Sequence, residues 1–270
     1  MNGPIVRHRQ IIERAEHVLF ADHRIMGAYL IGSYAAGTAD HYSDIDLHCV
    51  VADDDLAACL ADLDTILEAI GGRPVLVDAI PGVAGAVAFT ADWQQIDLIM
   101  HAASEYDPHE YDAVKPIFDR TGSLLPPARV PDLTPGPAVF PHTAVVEFFF
   151  FLGKLPAFLG RNELVVAHTG ITASRGRLIE LMHAERGLRS EIGMKRLNAT
   201  LSDEQRAVLE AMPAAGADRD QIIAANRYLT RHFIVRGKRL AERVGASWPQ
   251  EFQDATIAHV RRCLGVDFAV

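Results

Sequence analysis

Cysteine is scarce in this 270-residue chain: Cys49, Cys59 and Cys263 are odd in number, widely spaced and contain no CxxC pair. That excludes a disulfide framework and a zinc knuckle, and the three read as small core residues in a reducing cytoplasm. Long apolar runs are missing too. None reaches the roughly 20 residues that cross a bilayer; the longest, Val145 to Leu152, holds Glu147 and reads as a buried helix. The N-terminus has no basic segment followed by an apolar run, so no secretion signal is expected and no membrane partner. Excess positive charge is also lacking. A net charge of −9 argues against a broad nucleic-acid surface, which would be basic.

The composition that remains, 49% hydrophobic and 23% charged, suits one large globular domain or two small ones, each with its own core. Charge is uneven along the chain. Residues 1–130 hold 8 Lys+Arg against 20 Asp+Glu, whereas 131–270 hold 18 against 15. An acidic half collects cations. The stretch 126–141 carries Pro126, Pro127, Pro131, Pro135, Pro137 and Pro141, too many for a helix interior or a central strand. It is expected to link a domain over 1–125 to a second over 142–270.

Before the linker, helix and strand signals alternate. A helix is expected over Ile5–Phe20, strands over Ile25–Ile31 and Asp44–Val51, and a helix from Asp53 to Ile70 with acids at its positive end. Three short apolar runs follow, near Pro74–Ile80, Ala84–Thr90 and Gln94–Met100. Such a mixture implies an α/β or α+β sheet domain. After the linker the pattern is helical, over Ala144–Leu159, Glu163–Glu185, Ser202–Met212, Asp220–Val244 and Gln250–Cys263, with a capping box at Ser202 and Gln205. The fold class is therefore a mixed-sheet domain followed by an all-helical bundle.

Chemistry concentrates between Leu30 and Leu47. A strand ends at Gly32-Ser33, where a turn of small residues opens a short helix. Backbone N–H groups at such a helix start bind phosphate oxygens, and the Ser33 hydroxyl adds a donor. Gly32 and Gly37 have P-loop spacing, but Thr38 stands where the phosphate-gripping lysine would be, so that motif falls. Asp44 and Asp46 lie two apart on an expected strand and share a face, while Ile45 and Leu47 point into the core. Two carboxylates some 4 Å apart repel by about 4 kcal/mol at an effective dielectric of about 20. A hard divalent cation such as magnesium removes that conflict. A third acid, Asp97, interrupts the apolar run Gln94–Met100, where burial without a partner or a metal is costly.

The sequence Gly32-Ser33, then Asp44-Ile45-Asp46-Leu47, then a later strand carboxylate, resembles the DNA polymerase β-type nucleotidyltransferase superfamily. A sheet domain followed by a helical one is similar to the antibiotic nucleotidyltransferases, the lincosamide and aminoglycoside adenylyltransferases. Further echoes are Asp40-x-x-Ser43-Asp44, Phe118-Asp119-x-Thr121-Gly122 and Gly160-x-x-Glu163-Leu164. The resemblance implies a mixed-sheet nucleotidyltransferase domain with Gly32, Ser33 and Ser43 on the nucleotide. It implies two magnesium ions on Asp44, Asp46 and Asp97, with Asp97 as the base, and a nucleoside triphosphate, ATP foremost, as co-substrate. The acceptor would be a small molecule, whereas nucleic acid is disfavoured by charge. Glu147 is the reserve base. Whether a homodimer completes the site stays open, as do a protein-adenylylating role of the antitoxin type and a catalytically silent nucleotide-binding module.

In the helical half, Leu164, His168, Ile171, Arg175, Leu178 and Met182 fall at helical spacing. His168 and Arg175 then interrupt a core-facing stripe and are candidates for nucleotide contact, against a purely internal pairing. Lys154, Arg161 and Arg177 read as surface charges.

Overall fold

Ile11, Ala15 and Leu19 recur every four residues and all three are fully buried, which commits the first segment to a helix with one apolar face. A computed structural model of the chain describes residues 3–107, 109–130, 134–188 and 197–268. Pro131, part of the expected linker, lies outside them. In that structure α1 spans Gly3–Ala21, β1 Ile25–Leu30, α2 Gly32–Ala35 and β2 Ile45–Val51. A 3-10 turn, Asp53–Asp55, leads into α3 (Leu56–Ala61) and α4 (Leu63–Gly71). The strands β3 (Leu76–Ala79), β4 (Gly85–Phe89), β5 (Gln95–Ala102) and β6 (Lys115–Asp119) complete the sheet.

The six strands run in the order β3-β4-β5-β2-β1-β6. Only β2 and β5 pair in parallel; the remaining neighbours are antiparallel. The two faces differ. Ile25, Ile45, Leu47, Ile96 and Leu98 point to one of them and pack with Ile11, Leu19, Cys59, Leu67 and Ile70 from α1, α3 and α4. The alternate residues point the other way. There a smaller cluster around Tyr29, Val50 and Val114 covers one end of the sheet, with Tyr106, Tyr111, Leu124 and Leu125 packed on it.

Contacts divide the chain into two compact units, Met1–Asp132 and Leu133–Val270. In the second, α5 (His142–Gly160), α6 (Leu164–Glu185), α7 (Leu197–Thr200), α8 (Asp203–Glu210), α9 (Arg219–Val244) and α10 (Gln250–Leu264) build a helical core. Phe148 stacks on Phe233 at 3.8 Å within it, and Phe149 meets Trp248 edge-on. Among the described helices α5 alone is long and apolar enough to cross a membrane, by length and composition. Its Val145, Phe148, Phe149, Leu152, Leu155 and Leu159 are buried in this core. The capping box at α8 is present, with Ser202 accepting from the Gln205 amide.

Several expectations are corrected. The helix expected from Asp53 to Ile70 breaks at Asp62, whose amide bonds back to Ala58 and Cys59 and whose carboxylate takes a 2.7 Å ion pair from Arg24. β2 begins at Ile45, so Asp44 stands just before the strand. The strand β6 and the helical turn α7 carry no clear sequence signal; Pro116 fits β6 only because it is an edge strand. Cys49 and Cys59 are buried, but Cys263 is exposed on the last turn of α10.

Candidate active site

The N-terminal ends of β2 and β5 lie side by side, as parallel pairing requires, and Asp46 stands in register with Asp97. With Ile45, Leu47, Ile96 and Leu98 locked in the core, both carboxylates are forced onto the opposite face. They sit one strand spacing apart, about 5 Å. Both are half-buried. Gln95, two residues before Asp97, donates its side-chain amide to Asp97 Oδ1 at 2.9 Å.

β1 runs antiparallel to β2 and therefore delivers its C-terminal end to the same place. Gly32 follows it with φ +60°, a left-handed backbone that an L side chain resists. The space argues the same way. A Cβ on Gly32 would meet Asp46 Oδ2 at 2.5 Å, so the absence of a side chain brings bare backbone against the carboxylate. Ser33 Oγ, on the first turn of α2, is buried with no hydrogen-bond partner. Buried hydroxyls are nearly always paired, and an unpaired one beside a pair of acids has the character of a ligand contact. Tyr34 fixes this turn from behind. Its hydroxyl lies 2.5 Å from Nδ1 of the fully buried His8 on α1, and burial pushes the phenol up to about 12.

Asp44 and Ser43 come from the loop before β2. The Asp40 amide donates to Ser43 Oγ, and Asp40 Oδ1 accepts from the Tyr42 amide, which closes this loop on itself. The Ser43 hydroxyl is thereby occupied in shaping the loop. Gln94 Nε2 reaches the Ser43 carbonyl at 3.4 Å, tying the two strand entrances together.

The oxygen donors of Asp44 and Asp46 suit magnesium, which takes one or two carboxylates and leaves its other positions to water and phosphate. Among the described residues no group of three or more His, Cys, Asp or Glu is gathered tightly enough to hold a metal by protein ligands alone. The donor set fits a cation shared with a phosphate better than a closed protein cage.

The helical unit supplies less than the sequence suggested. His168 and Arg175 are both exposed, not core-facing. The inner face of α6 keeps Ile171, Leu178 and Met182 of the expected stripe but takes Ala167 and Ser174 in place of His168 and Arg175. Arg175 therefore stands on the outer side of α6 and interrupts no buried stripe. Glu147 pairs at 3.0 Å with Arg177, which also holds Glu180 at 2.7 Å. That is a bridge between α5 and α6. A cavity of about 850 Å³ in this unit, walled by Ile234, Lys238, Ile257 and Arg261, includes none of the expected site residues. Asp119, in one of the sequence echoes, accepts four amides, from Thr121, Gly122, Leu124 and Leu125, and so organises the turn after β6.

Residues 13–81 match the nucleotidyltransferase domain family. The chain carries a nucleotidyltransferase domain. The matched span contains Gly32, Ser33, Asp44 and Asp46, and ends before Asp97. No curated protein matches the chain. Among solved structures, one similar to it is an aminoglycoside 6-adenyltransferase from Bacillus subtilis, with 16% identity, 92% of this chain and 97% of that one covered, and a TM-score of 0.42. A second is a STING-associated CdnE c-di-GMP synthase from Capnocytophaga granulosa, with 12% identity, coverage of 90% and 83%, and a TM-score of 0.31. At those scores neither likeness bears on the acceptor.

Proposed function

We propose that this nucleotidyltransferase moves a nucleoside monophosphate, AMP foremost, from a triphosphate to a hydroxyl of a small molecule and releases pyrophosphate. The reading is carried by one observation: Asp46 and Asp97 in register, with Gly32 held bare against Asp46 and the Ser33 hydroxyl buried without a partner. In this reading Ser33 Oγ and the amides at the start of α2 donate to phosphate oxygens. Asp44 and Asp46 hold magnesium, with Asp97 beside them. Magnesium, when bound, neutralises the transferring phosphoryl group and stabilises the leaving pyrophosphate. Asp97 accepts the proton of the attacking hydroxyl, and the Gln95 amide on Oδ1 orients its carboxylate for that task. The new bond joins the acceptor oxygen to the α-phosphorus, and the bond from that phosphorus to the bridging oxygen breaks as pyrophosphate departs.

The surplus of acids in residues 1–130 favours a cationic acceptor by field attraction, and aminoglycoside and lincosamide antibiotics have that character. A cytoplasmic setting, with its ATP, suits the reaction. Asp46→Asn is expected to abolish Mg·ATP binding in isothermal titration. Asp97→Asn should keep that binding while turnover falls about 100-fold or more. Mass spectrometry of an antibiotic panel incubated with ATP and magnesium reads the transfer directly. Unchanged Mg·ATP affinity in Asp46→Asn would remove the metal assignment.

A further inference from the structure

The face that carries Asp97 continues, across β4 and β3, into a surface of Val87, Phe89 and Leu76 that is apolar but for Asp78, which stands in register with Val87. Val87 is in register with Asp97, Phe89 with Gln95, and Leu76 with Phe89. Phe89 is thus one strand over and one side-chain repeat along from Asp97, about 7–8 Å away. Trp93, in the turn between β4 and β5, meets Phe89 edge-on with ring centroids 5.4 Å apart. This surface faces solvent: Trp93 is 82% exposed and Leu76 50%.

Trp93 is also held against its own backbone preference. Its φ is +61°, a region that bulky residues rarely occupy. A closed turn keeps it there. The Trp93 amide donates to the Thr90 carbonyl at 2.9 Å, Thr90 Oγ1 donates to Asp92 at 2.6 Å, and the Gln94 amide donates to Thr90 Oγ1 at 3.0 Å. Glycine would fill the position without strain. An indole that is both strained and exposed does little for folding, and strain of this kind is characteristic of ligand contacts.

The order of the strands says which ligand. Gly32 and Ser33 follow β1, on one side of β2; β5, β4 and β3 lie in turn on the other side. Across the sheet the sequence runs from phosphate cradle to Asp46, Asp97, Phe89 and Leu76. In-line transfer brings the attacking hydroxyl to the α-phosphorus from the side opposite the departing pyrophosphate. The apolar surface lies on the Asp97 side, away from the cradle.

We propose that Trp93, with Phe89 and Leu76, is the acceptor-binding platform of this enzyme. The acceptor it fits is a hydroxyl-bearing compound with a flat apolar or aromatic face, which rests on the indole while its hydroxyl reaches Asp97. The proposal rests on the nucleotidyl-transfer reading of the same site.

The test uses the full chain, with phenyl β-D-glucopyranoside as a probe that has both features and methyl β-D-glucopyranoside as one without the aromatic face. Saturation-transfer NMR should show binding of the phenyl glucoside with its ring protons most strongly saturated. Its Kd should weaken by about fivefold or more in Trp93→Gly and recover in Trp93→Phe, as for loss and return of one aromatic contact. The methyl glucoside should bind more weakly and ignore the substitution. Trp93→Gly removes the backbone strain, so its melting temperature should equal or exceed that of the wild type. Mg·ATP affinity should be unchanged in both variants. A phenyl glucoside that fails to bind, or binds Trp93→Gly equally well, overturns the platform. A parallel loss of Mg·ATP affinity assigns the surface to the nucleobase and overturns it as well. A wild type that binds no Mg·ATP overturns the transfer reading itself, a different result from either.

Discussion

At the scale of single residues, Gly32 shows why a glycine rather than any small residue ends β1. Two independent constraints meet there: a positive φ and a carboxylate oxygen where the Cβ would be. Gly37 separates them, since its φ is +70° but nothing lies within 4 Å of its would-be Cβ. Gly37→Ala should therefore cost only the backbone penalty, about 1–2 kcal/mol, with Mg·ATP affinity retained. Gly32→Ala should add displacement of Asp46 to the same penalty and lose nucleotide affinity too. Thermal melts and isothermal titration on the two variants separate the conformational share from the functional one. Equal Mg·ATP affinity in both would mean that Asp46 tolerates being moved.

At the scale of elements, the period of burial decides what a sequence can show. β2 was legible from its near-alternating polarity at Asp46 and His48, and β5 as an apolar run that Asp97 interrupts, so the two acids stand out by contrast. The registration of those two acids was not legible, because it depends on parallel pairing of strands 50 residues apart. Nor was the role of Gln95, or of Trp93, since no sequence pattern marks a bulky residue with positive φ. On α6 Ile171, Leu178 and Met182 are buried as their spacing predicts, but Ala167 and Ser174, small enough to be overlooked as core, flank them on the inner face where His168 and Arg175 were expected. The second face of the sheet holds a further feature visible only in three dimensions. His48 Nδ1 and His101 Nε2 lie 2.8 Å apart, from β2 and β5, among Tyr29, Tyr106 and Tyr111. Burial, with His101 adding to it, pushes His48 down to about 3 from 6.5. Burial also lowers His101, against the pull of Glu110. An unfolded chain would protonate His48 near its ordinary value while the folded one excludes the proton. Stability should thus be full above about pH 6.5 and fall as the pH drops towards 3, with a slope approaching about 1.4 kcal/mol per pH unit for this residue. His8, His183 and His232 are lowered as well and add to the wild-type slope. Urea unfolding at pH 7 and pH 5 should therefore show a smaller difference in His48→Phe than in the wild type. An identical difference would mean that His48 takes no part.

At the scale of the whole molecule, two separate hydrophobic cores divide the labour: one fixes the sheet that aligns the acids, and the other fixes the helices. The Pro-rich stretch is shared between them, since Arg129 bridges backbone to backbone with Val114 of the sheet unit and Ala138 and Phe140 pack on the helical core. Trp248 offers a native reporter of the second core. It is half-buried, donates to Gln253 at 2.9 Å and lies against Phe149. Gly237 on α9 exists for its sake, because a Cβ there would stand 2.3 Å from Trp248 Cζ3. In an open helix Gly→Ala would stabilise by up to about 1 kcal/mol. Here the indole must move, and overpacking of this kind costs about 1–3 kcal/mol. Gly237→Ala should lower the denaturation midpoint followed by Trp248 emission, despite the better helix former. Gly32, Ser33, Asp46 and Asp97, the proposed nucleotide site, all belong to the other unit, so Mg·ATP affinity should be that of the wild type at temperatures where the variant is folded. A midpoint that rises would show that the indole can shift at no cost. A loss of Mg·ATP affinity in step with the midpoint would show instead that the helical core supports the nucleotide site, and that the sheet unit does not bind it unaided.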